Sequence, residues 1–153
     1  MTMTMRRTRI LLAALVMMFC FSVTAHAKYV SLKTVGLTDF QSMTKFRIVS
    51  VNGSTVRYRK VKIGSKNGDV DITFGKIKTA KLTKKTKYYV GSVNRYNKTF
   101  TKGASTAFLD KKWIKKVSKS KFKKALTGKE WWDVVIVKKG KVVKIFTKMQ
   151  LAG

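Results

Sequence analysis

The 153-residue sequence predicts one mostly β domain, a small antiparallel barrel with a short helix before its last hairpin. Two turn signals support this fold class, because each lies between runs of β-prone residues. Asn52-Gly53 separates alternating residues near the start of the domain, and Lys138-Lys139-Gly140 joins two β-branched runs near its end. A two-sheet β-sandwich is the alternative, since lysines at alternating strand positions fit either architecture.

The first hairpin spans Lys45 to Ile63 and combines an apolar face with a cationic one. We predict a three-residue loop, Val51 to Gly53, because a two-residue loop would mix the two faces. In this register the apolar face carries the pairs Ile48/Val56 and Phe46/Tyr58. The cationic face carries the pairs Arg47/Arg57 and Lys45/Arg59. Tyr58 therefore belongs to the core. The side-chain phase shifts at Lys60-Val61, which predicts a β-bulge.

The middle of the chain contains further strand and turn signals. Val70, Ile72 and Phe74 alternate with polar residues and predict a half-buried strand, and Tyr88 to Val90 predicts another. Residues 94–105 are polar and are interpreted as an exposed loop in which Tyr96 is accessible. Such short strands at close spacing are typical of small β domains.

A short helix is predicted from Lys119 to Thr127. Ser118 is a suitable N-cap, Gly128 a suitable C′ residue, and Phe122 and Leu126 lie on one helical face. The final hairpin then places Val134 and Val135 on opposite faces, so its strands should be buried on both sides. The tryptophans at 113, 131 and 132 are expected to be largely buried.

The order of several strands, one helix and a final hairpin fits an OB-like barrel. The runs T-V-R-Y-R-K-V-K-I and L-T-K-K-T-K-Y-Y-V-G-S, within residues 46–92, resemble a recurrent class of small, signal-peptide-bearing bacterial secreted proteins. That resemblance implies an OB-like barrel and export. Because it consists of turn and strand chemistry, it transfers no site residues.

The first 27 residues predict a signal peptide, and residues 28–153 a single β-rich domain. Three arginines precede an apolar stretch from Ile10 to Val23, and Ala25-His26-Ala27 offers small residues for cleavage. A retained membrane anchor is the alternative, but about 14 apolar residues fall short of the roughly 20 that span a bilayer. We therefore expect an exported protein, secreted or periplasmic, with no membrane span after cleavage.

The exported chain is strongly cationic. It keeps 32 of the 35 basic residues and all 6 acidic ones, a net charge of +26, with 28 lysines and 4 arginines. Such a charge attracts polyanions. The dominance of lysine favours diffuse attraction over specific phosphate or base readout. The alternative is a charge that serves solubility alone.

Missing residue types exclude several kinds of catalysis. The only cysteine and the only histidine, Cys20 and His26, lie in the predicted signal peptide. The exported chain therefore has no Ser-His-Asp or Cys-His system and no imidazole or thiolate metal ligand. Carboxylates remain at Asp69 and Asp71 and at Glu130 and Asp133, but turn formation and balance of nearby lysines explain them better than hydrolysis.

We therefore predict a non-catalytic binding protein without metal or cofactor. Its partner would be an anionic polymer or envelope surface: cell wall, polysaccharide or nucleic acid. An envelope-associated structural or accessory domain is the alternative, and a carboxylate-dependent hydrolase is a distant third. The predicted contact residues are cationic, with the arginines of the first hairpin at their centre: Lys45, Arg47, Arg57, Arg59, Lys62 and Arg95.

Overall fold

The structure is a computed structural model that describes residues 28–37, 44–100, 110–126 and 132–149. Several sequence predictions lie outside these residues. They concern the signal peptide at 1–27, the helix end at Thr127 and Gly128, and the pair Glu130 and Trp131.

The described part of the chain forms eight strands and two short α-helices, which confirms the mostly β prediction. The strands are β1 (Tyr29–Val30), β2 (Phe46–Asn52), β3 (Thr55–Lys66), β4 (Asp69–Lys81), β5 (Lys87–Gly91), β6 (Ile114–Val117), β7 (Trp132–Lys138) and β8 (Lys141–Met149). The helices are α1 (Val93–Phe100) and α2 (Lys119–Ala125), and a 3-10 helix spans Lys33–Val35.

All eight strands belong to one mixed sheet with the order β1-β6-β5-β8-β4-β3-β2-β7. β7 also pairs with β8, so β8, β4, β3, β2 and β7 form a partial ring of five strands. The expectation of a wholly antiparallel sheet was wrong, because β8 runs parallel to both β4 and β5. The final hairpin supplies this central strand, and its apolar residues are buried on both faces.

Two hydrophobic clusters lie on opposite faces of the final hairpin. One is enclosed by the ring and contains Ile48, Val56, Tyr58, Val135 and Ile145 among others. The second lies on the opposite face of β7 and β8, where Val134 and Phe146 pack with Leu32, Tyr89 and Trp113. The prediction that this hairpin is buried on both sides is confirmed, since Val134 and Val135 are both buried.

The β2–β3 hairpin has a different register from the predicted one. Asn52 faces Thr55 around a two-residue turn at Gly53 and Ser54, and Arg47 faces Arg59 instead of Arg57. The two faces still do not mix, because a bulge at Val49 shifts the register between Ile48 and Ser50. Ile48 and Val51 are therefore both buried while Val49 is exposed.

A second irregularity occurs where the sequence shifts phase. The β3–β4 register changes between Arg59 and Val61, the predicted position, but the extra residue lies in β4 between Phe74 and Ile77. The predicted phase shift within β3 does not occur, because β3 keeps its alternation and Val61 stays on the face of Arg59. Arg59 faces Ile77, and Val61 faces Phe74. Consequently Arg59, Phe74 and Ile77 share one face of the sheet.

Helix α2 confirms the predicted cap and core residue. The Ser118 hydroxyl accepts the backbone N–H of Lys121 at 3.3 Å. Phe122 is fully buried in the hydrophobic cluster that the partial ring of strands encloses. The helix ends at Ala125, shortly before the predicted end, and the next residue, Leu126, packs against the same cluster.

Helix α1 corrects the predicted exposed loop at 94–105, at least as far as residue 100. Tyr96 is buried, with its ring centroid 5.3 Å from that of Trp113. The apolar residues Val93, Tyr96 and Phe100 recur at helical spacing, a signal that the surrounding polar residues obscure. Burial raises the pKa of the Tyr96 phenol to about 12.

Candidate anion-binding surface

Three arginines share the outer face of the β2–β3 hairpin. Arg47 lies directly opposite Arg59, and Arg57 lies two residues before Arg59 on the same strand. Opposed residues, and residues two apart on a strand, point to the same face of a sheet. Tyr58 lies on the opposite face, inside the ring, which confirms its assignment to the core.

Two of these arginines, Arg47 and Arg59, lie over aromatic rings on neighbouring strands. The Arg47 guanidinium lies over the Trp132 ring, 5.6 Å from its centroid, and the Arg59 guanidinium lies over the Phe74 ring at 3.9 Å. The result is an arginine–aromatic row, Trp132-Arg47-Arg59-Phe74, that crosses β7, β2, β3 and β4. In this row two cations lie between two aromatic side chains, on the outside of the partial ring of strands.

The electrostatics of the row favour an anion. Two like charges directly opposite each other on paired strands repel. The cation–π contacts and, for Arg47, the charge of Asp133 act against this repulsion. In addition, the Nε of Arg59 is buried and has no hydrogen-bond partner within the described residues. An anionic group near Arg47 and Arg59 would reduce the repulsion between the two guanidinium groups.

The carboxylate of Asp133, next to Trp132 in β7, points into the interior of the partial ring of strands. Asp133 is buried, its Oδ2 accepts the backbone N–H of Ile48 at 2.7 Å, and its Oδ1 accepts the Thr147 hydroxyl at 2.7 Å. Burial raises the pKa of Asp133 to about 6, while the two hydrogen bonds and the charge of Arg47 lower it. The prediction that Asp133 balances local lysines was wrong, since it holds strands together.

The structure brings together only part of the predicted contact set. Lys45 precedes β2, and its carbonyl oxygen accepts the N–H of Val61 at 2.9 Å. Lys62 is exposed, but its position next to Val61 puts it on the face opposite to Arg59. Arg95 lies in α1 over the Tyr29 ring at 3.9 Å, and the strand of Tyr29, β1, is separated from β2 by five strands in the sheet order.

Sequence reasoning missed both aromatic residues of the row. It placed Trp132 among the largely buried tryptophans, and it assigned Phe74 to a half-buried strand. Trp132 is half-buried and contacts Arg47, whereas Phe74 is exposed and contacts Arg59. The contact between Trp132 and Arg47 depends on the pairing of β2 with β7. These strands are far apart in the sequence, with 85 residues from Ile48 to Asp133, so no local pattern reveals the contact.

Other kinds of site find little support in the described ranges. These residues contain no group of three or more His, Cys, Asp or Glu side chains that could hold a metal ion. Asp69 and Asp71 face Lys66 and Gly64 across the β3–β4 hairpin. None of the helices in this part of the chain is long and apolar enough to cross a membrane.

Comparison of the chain with models of protein families, with curated proteins and with solved structures finds no match.

Proposed function

We propose that the protein is an exported, non-catalytic binding protein that engages an anionic polymer through the arginine–aromatic row. Polysaccharide, cell-wall polymer and nucleic acid are the candidate polymers. The proposal includes cleavage after Ala27 and an OB-like character for the partial ring of strands, in keeping with the secreted proteins that the sequence resembles.

The observation that carries this proposal is the direct opposition of Arg47 and Arg59, each held over an aromatic ring. Guanidinium groups donate hydrogen bonds to phosphate, sulfate and carboxylate in a planar, bidentate geometry. A row across four strands presents these groups along a line, as a polymer with regularly spaced anionic groups requires. Rings at both ends can stack on sugars or bases.

The charge of the rest of the surface supports a polymer instead of a small anion. Residues 28–153 carry a net charge of +26, and exposed lysines occur on most strands of the ring, for example Lys60, Lys78 and Lys141. A field of this size attracts a polyanion over a long range. The row then gives the encounter a preferred location.

Retention on immobilised heparin, single-stranded DNA and isolated bacterial cell walls tests the proposal. We compare residues 28–153 with an Arg47→Gln/Arg57→Gln/Arg59→Gln variant and with a control that loses the same charge elsewhere, Lys84→Gln/Lys121→Gln/Lys124→Gln. The control lysines are all exposed. We expect the arginine variant to elute at clearly lower salt than the control. The immobilised polymer that retains the unmodified protein best identifies the partner class.

Two other results would count against the proposal. Equal loss of retention in both variants would mean that the charge acts only collectively, as in an accessory domain whose lysines serve solubility. Flow-through of the unmodified protein at low salt would exclude polyanion binding altogether.

A further inference from the structure

The β3–β4 hairpin continues beyond the ring as a two-stranded arm, residues 62–77. The last pair of β2 with β3 is Phe46 with Lys60, and the registered pairing of β4 with β8 is confined to Lys81 with Lys141. Within the described residues, no third strand pairs with the arm, and every arm residue is exposed. The arm therefore extends away from both hydrophobic clusters.

One face of this arm is apolar. Val70 near the tip is 73% exposed, and the other large side chains of this face are each between 41% and 46% exposed: Ile63, Ile72, Phe74 and Ile77. The register places Ile63 opposite Ile72 and Val61 opposite Phe74, so these side chains form one continuous surface. Contiguous exposed apolar surface of this kind marks an interaction site.

The opposite face of the arm is polar and carries both of its acidic residues. Lys66 pairs with Asp69, Gly64 with Asp71, and Lys62 with Thr73. The arm is thus an amphipathic β-ribbon whose carboxylates point away from the apolar side. Nothing on the apolar side would repel a negatively charged surface.

The apolar face also continues into the arginine–aromatic row. Phe74 belongs to both, and Arg59 lies over its ring on the same face of the sheet. From Phe74 to Val70 the strand rises by roughly 13 Å, which exceeds the depth of about 5–10 Å at which amphipathic elements bury their apolar side in a lipid interface. Guanidinium groups at the base of the arm would then lie near the lipid phosphates.

We propose that the arm inserts its apolar face into the surface of an anionic lipid bilayer, with Arg47, Arg57 and Arg59 contacting the headgroups. Charge complementarity supports this occupant over a second copy of the chain. Two copies with a net charge of +26 each would repel, whereas anionic lipids attract basic residues near the surface. The proposal does not depend on polymer binding, because insertion uses Ile63, Val70 and Ile72, which the polymer proposal does not involve.

Nucleic acid fits the arm less well than lipid. Recognition of bases uses hydrogen bonds to their edges or stacking on their faces. Beyond Phe74 the apolar face offers no aromatic ring for stacking, and its single hydroxyl, that of Ser65, lies among the aliphatic side chains of Ile63, Val70 and Ile72. Transfer of exposed aliphatic side chains from water into hydrocarbon lowers their free energy in proportion to the apolar area removed from water.

Vesicle binding by residues 28–153 tests the role of the arm. This chain is the one expected after signal-peptide cleavage, and it includes every described member of both hydrophobic clusters. We compare it with the variant Ile63→Thr/Val70→Thr/Ile72→Thr, which keeps β-branched side chains and charge, and with Val49→Thr as an exposed apolar control outside the arm. The vesicles are phosphatidylcholine with 30% phosphatidylglycerol, or phosphatidylcholine alone.

We expect the triple variant to bind the anionic vesicles at least tenfold more weakly than the unmodified protein. The vesicle affinity of Val49→Thr should be unchanged, and both variants should keep their retention on heparin. Weaker binding of the unmodified protein to phosphatidylcholine alone should show the contribution of charge. Equal affinity of the triple variant and the unmodified protein would overturn the proposal, as would a dimer at high salt that the triple variant abolishes. Loss of DNA binding in place of vesicle binding would assign the arm to nucleic acid.

A fluorescent label measures insertion directly. Residues 28–153 contain no cysteine, so Val70→Cys and Thr73→Cys each give a single site for an environment-sensitive dye such as NBD. Val70 lies on the apolar face and Thr73 on the polar one. We expect anionic vesicles to shift the emission of the dye to the blue at position 70 and much less at position 73. Equal shifts, or none at position 70, would exclude insertion of the apolar face.

Discussion

The Asp133 carboxylate accepts the backbone N–H of Ile48 at 2.7 Å, across the β2–β7 pair, which has a single registered residue pair among the described residues, Phe46 with Asp133. Its second oxygen accepts the Thr147 hydroxyl beside an irregular point of the β7–β8 pairing. One buried side chain thus connects β2, β7 and β8, where the ring of strands closes. The fold depends here on an ionisable group, which makes its stability dependent on pH.

We predict that residues 28–153 become more stable as the pH falls from 7.5 to 4.5. Burial raises the pKa of Asp133 from 3.8 to about 6, so the folded chain binds a proton that the unfolded chain releases. The stabilisation is complete below the unfolded pKa and is lost as the pH rises through the folded one. It amounts to about 2 kcal/mol over this interval. Urea unfolding at the two pH values measures it.

Asp133→Asn is the matched control for this prediction. Its amide oxygen can accept the Ile48 N–H, and its NH2 group can donate to the Thr147 hydroxyl, but it does not titrate. The only histidine, His26, precedes this chain, so no other side chain has an ordinary pKa in the same range. The variant should therefore lose the pH dependence. An unchanged pH dependence in the variant would show that Asp133 is not its source.

Gly91 allows β5 to approach β8 closely. A Cβ at this position would lie 2.2 Å from the Lys148 carbonyl oxygen and 2.8 Å from Cζ3 of Trp113. We expect Gly91→Ala to destabilise the fold by about 3 kcal/mol, because both neighbours belong to the packed interior. Gly75→Ala is the control, since its Cβ would meet Lys60 at an ordinary 3.5 Å. Equal unfolding free energies for the two variants would contradict the prediction.

Lys148 has a left-handed backbone conformation, with φ of 55°, in the irregular end of β8. Glycine adopts this conformation without the steric cost that a Cβ imposes. We predict that Lys148→Gly stabilises the fold by about 0.5–1 kcal/mol, whereas Lys148→Ala does not. Thermal unfolding of the two variants measures the difference, and a less stable glycine variant would refute it.

Local patterns in the sequence predict the local structure well. The Ser118 cap, the turn at Lys139 and Gly140, and the two buried faces around Val134 and Val135 all follow from short-range spacing. The bulge at Val49 and the left-handed Lys148 have no such signal. Both irregularities occur in strands that pair with distant segments of the chain, and the register of such pairings depends on the whole sheet.

In the candidate surface, too, the sequence predicts the local arrangement but not the contacts between distant segments. The sequence indicates that Arg47, Arg57 and Arg59 share a face, because alternation in a hairpin is a local property. It does not indicate that Trp132 and Phe74 hold two of them, since one contact requires β2 to pair with β7 and the other follows the bulge in β4. The exposure of Ile72 and Val70 was also missed, because alternation predicts an apolar face but not whether another element covers it.

Trp132 and Phe74 should contribute to polymer affinity without any change in charge. The variants Trp132→Leu and Phe74→Leu remove the rings that hold Arg47 and Arg59 while the side chains stay apolar. A cation–π contact at an exposed site is worth about 0.5–1 kcal/mol. This is the most that binding can lose when the guanidinium is no longer held in place, so we expect each variant to bind its polymer up to about 2- to 5-fold more weakly. Titration of a labelled polymer at constant salt measures this. Phe46→Leu is the control, because its ring packs against Tyr58 away from the row. If all three variants bind as the unmodified protein does, the arginines act by charge alone and the rings have no part in recognition.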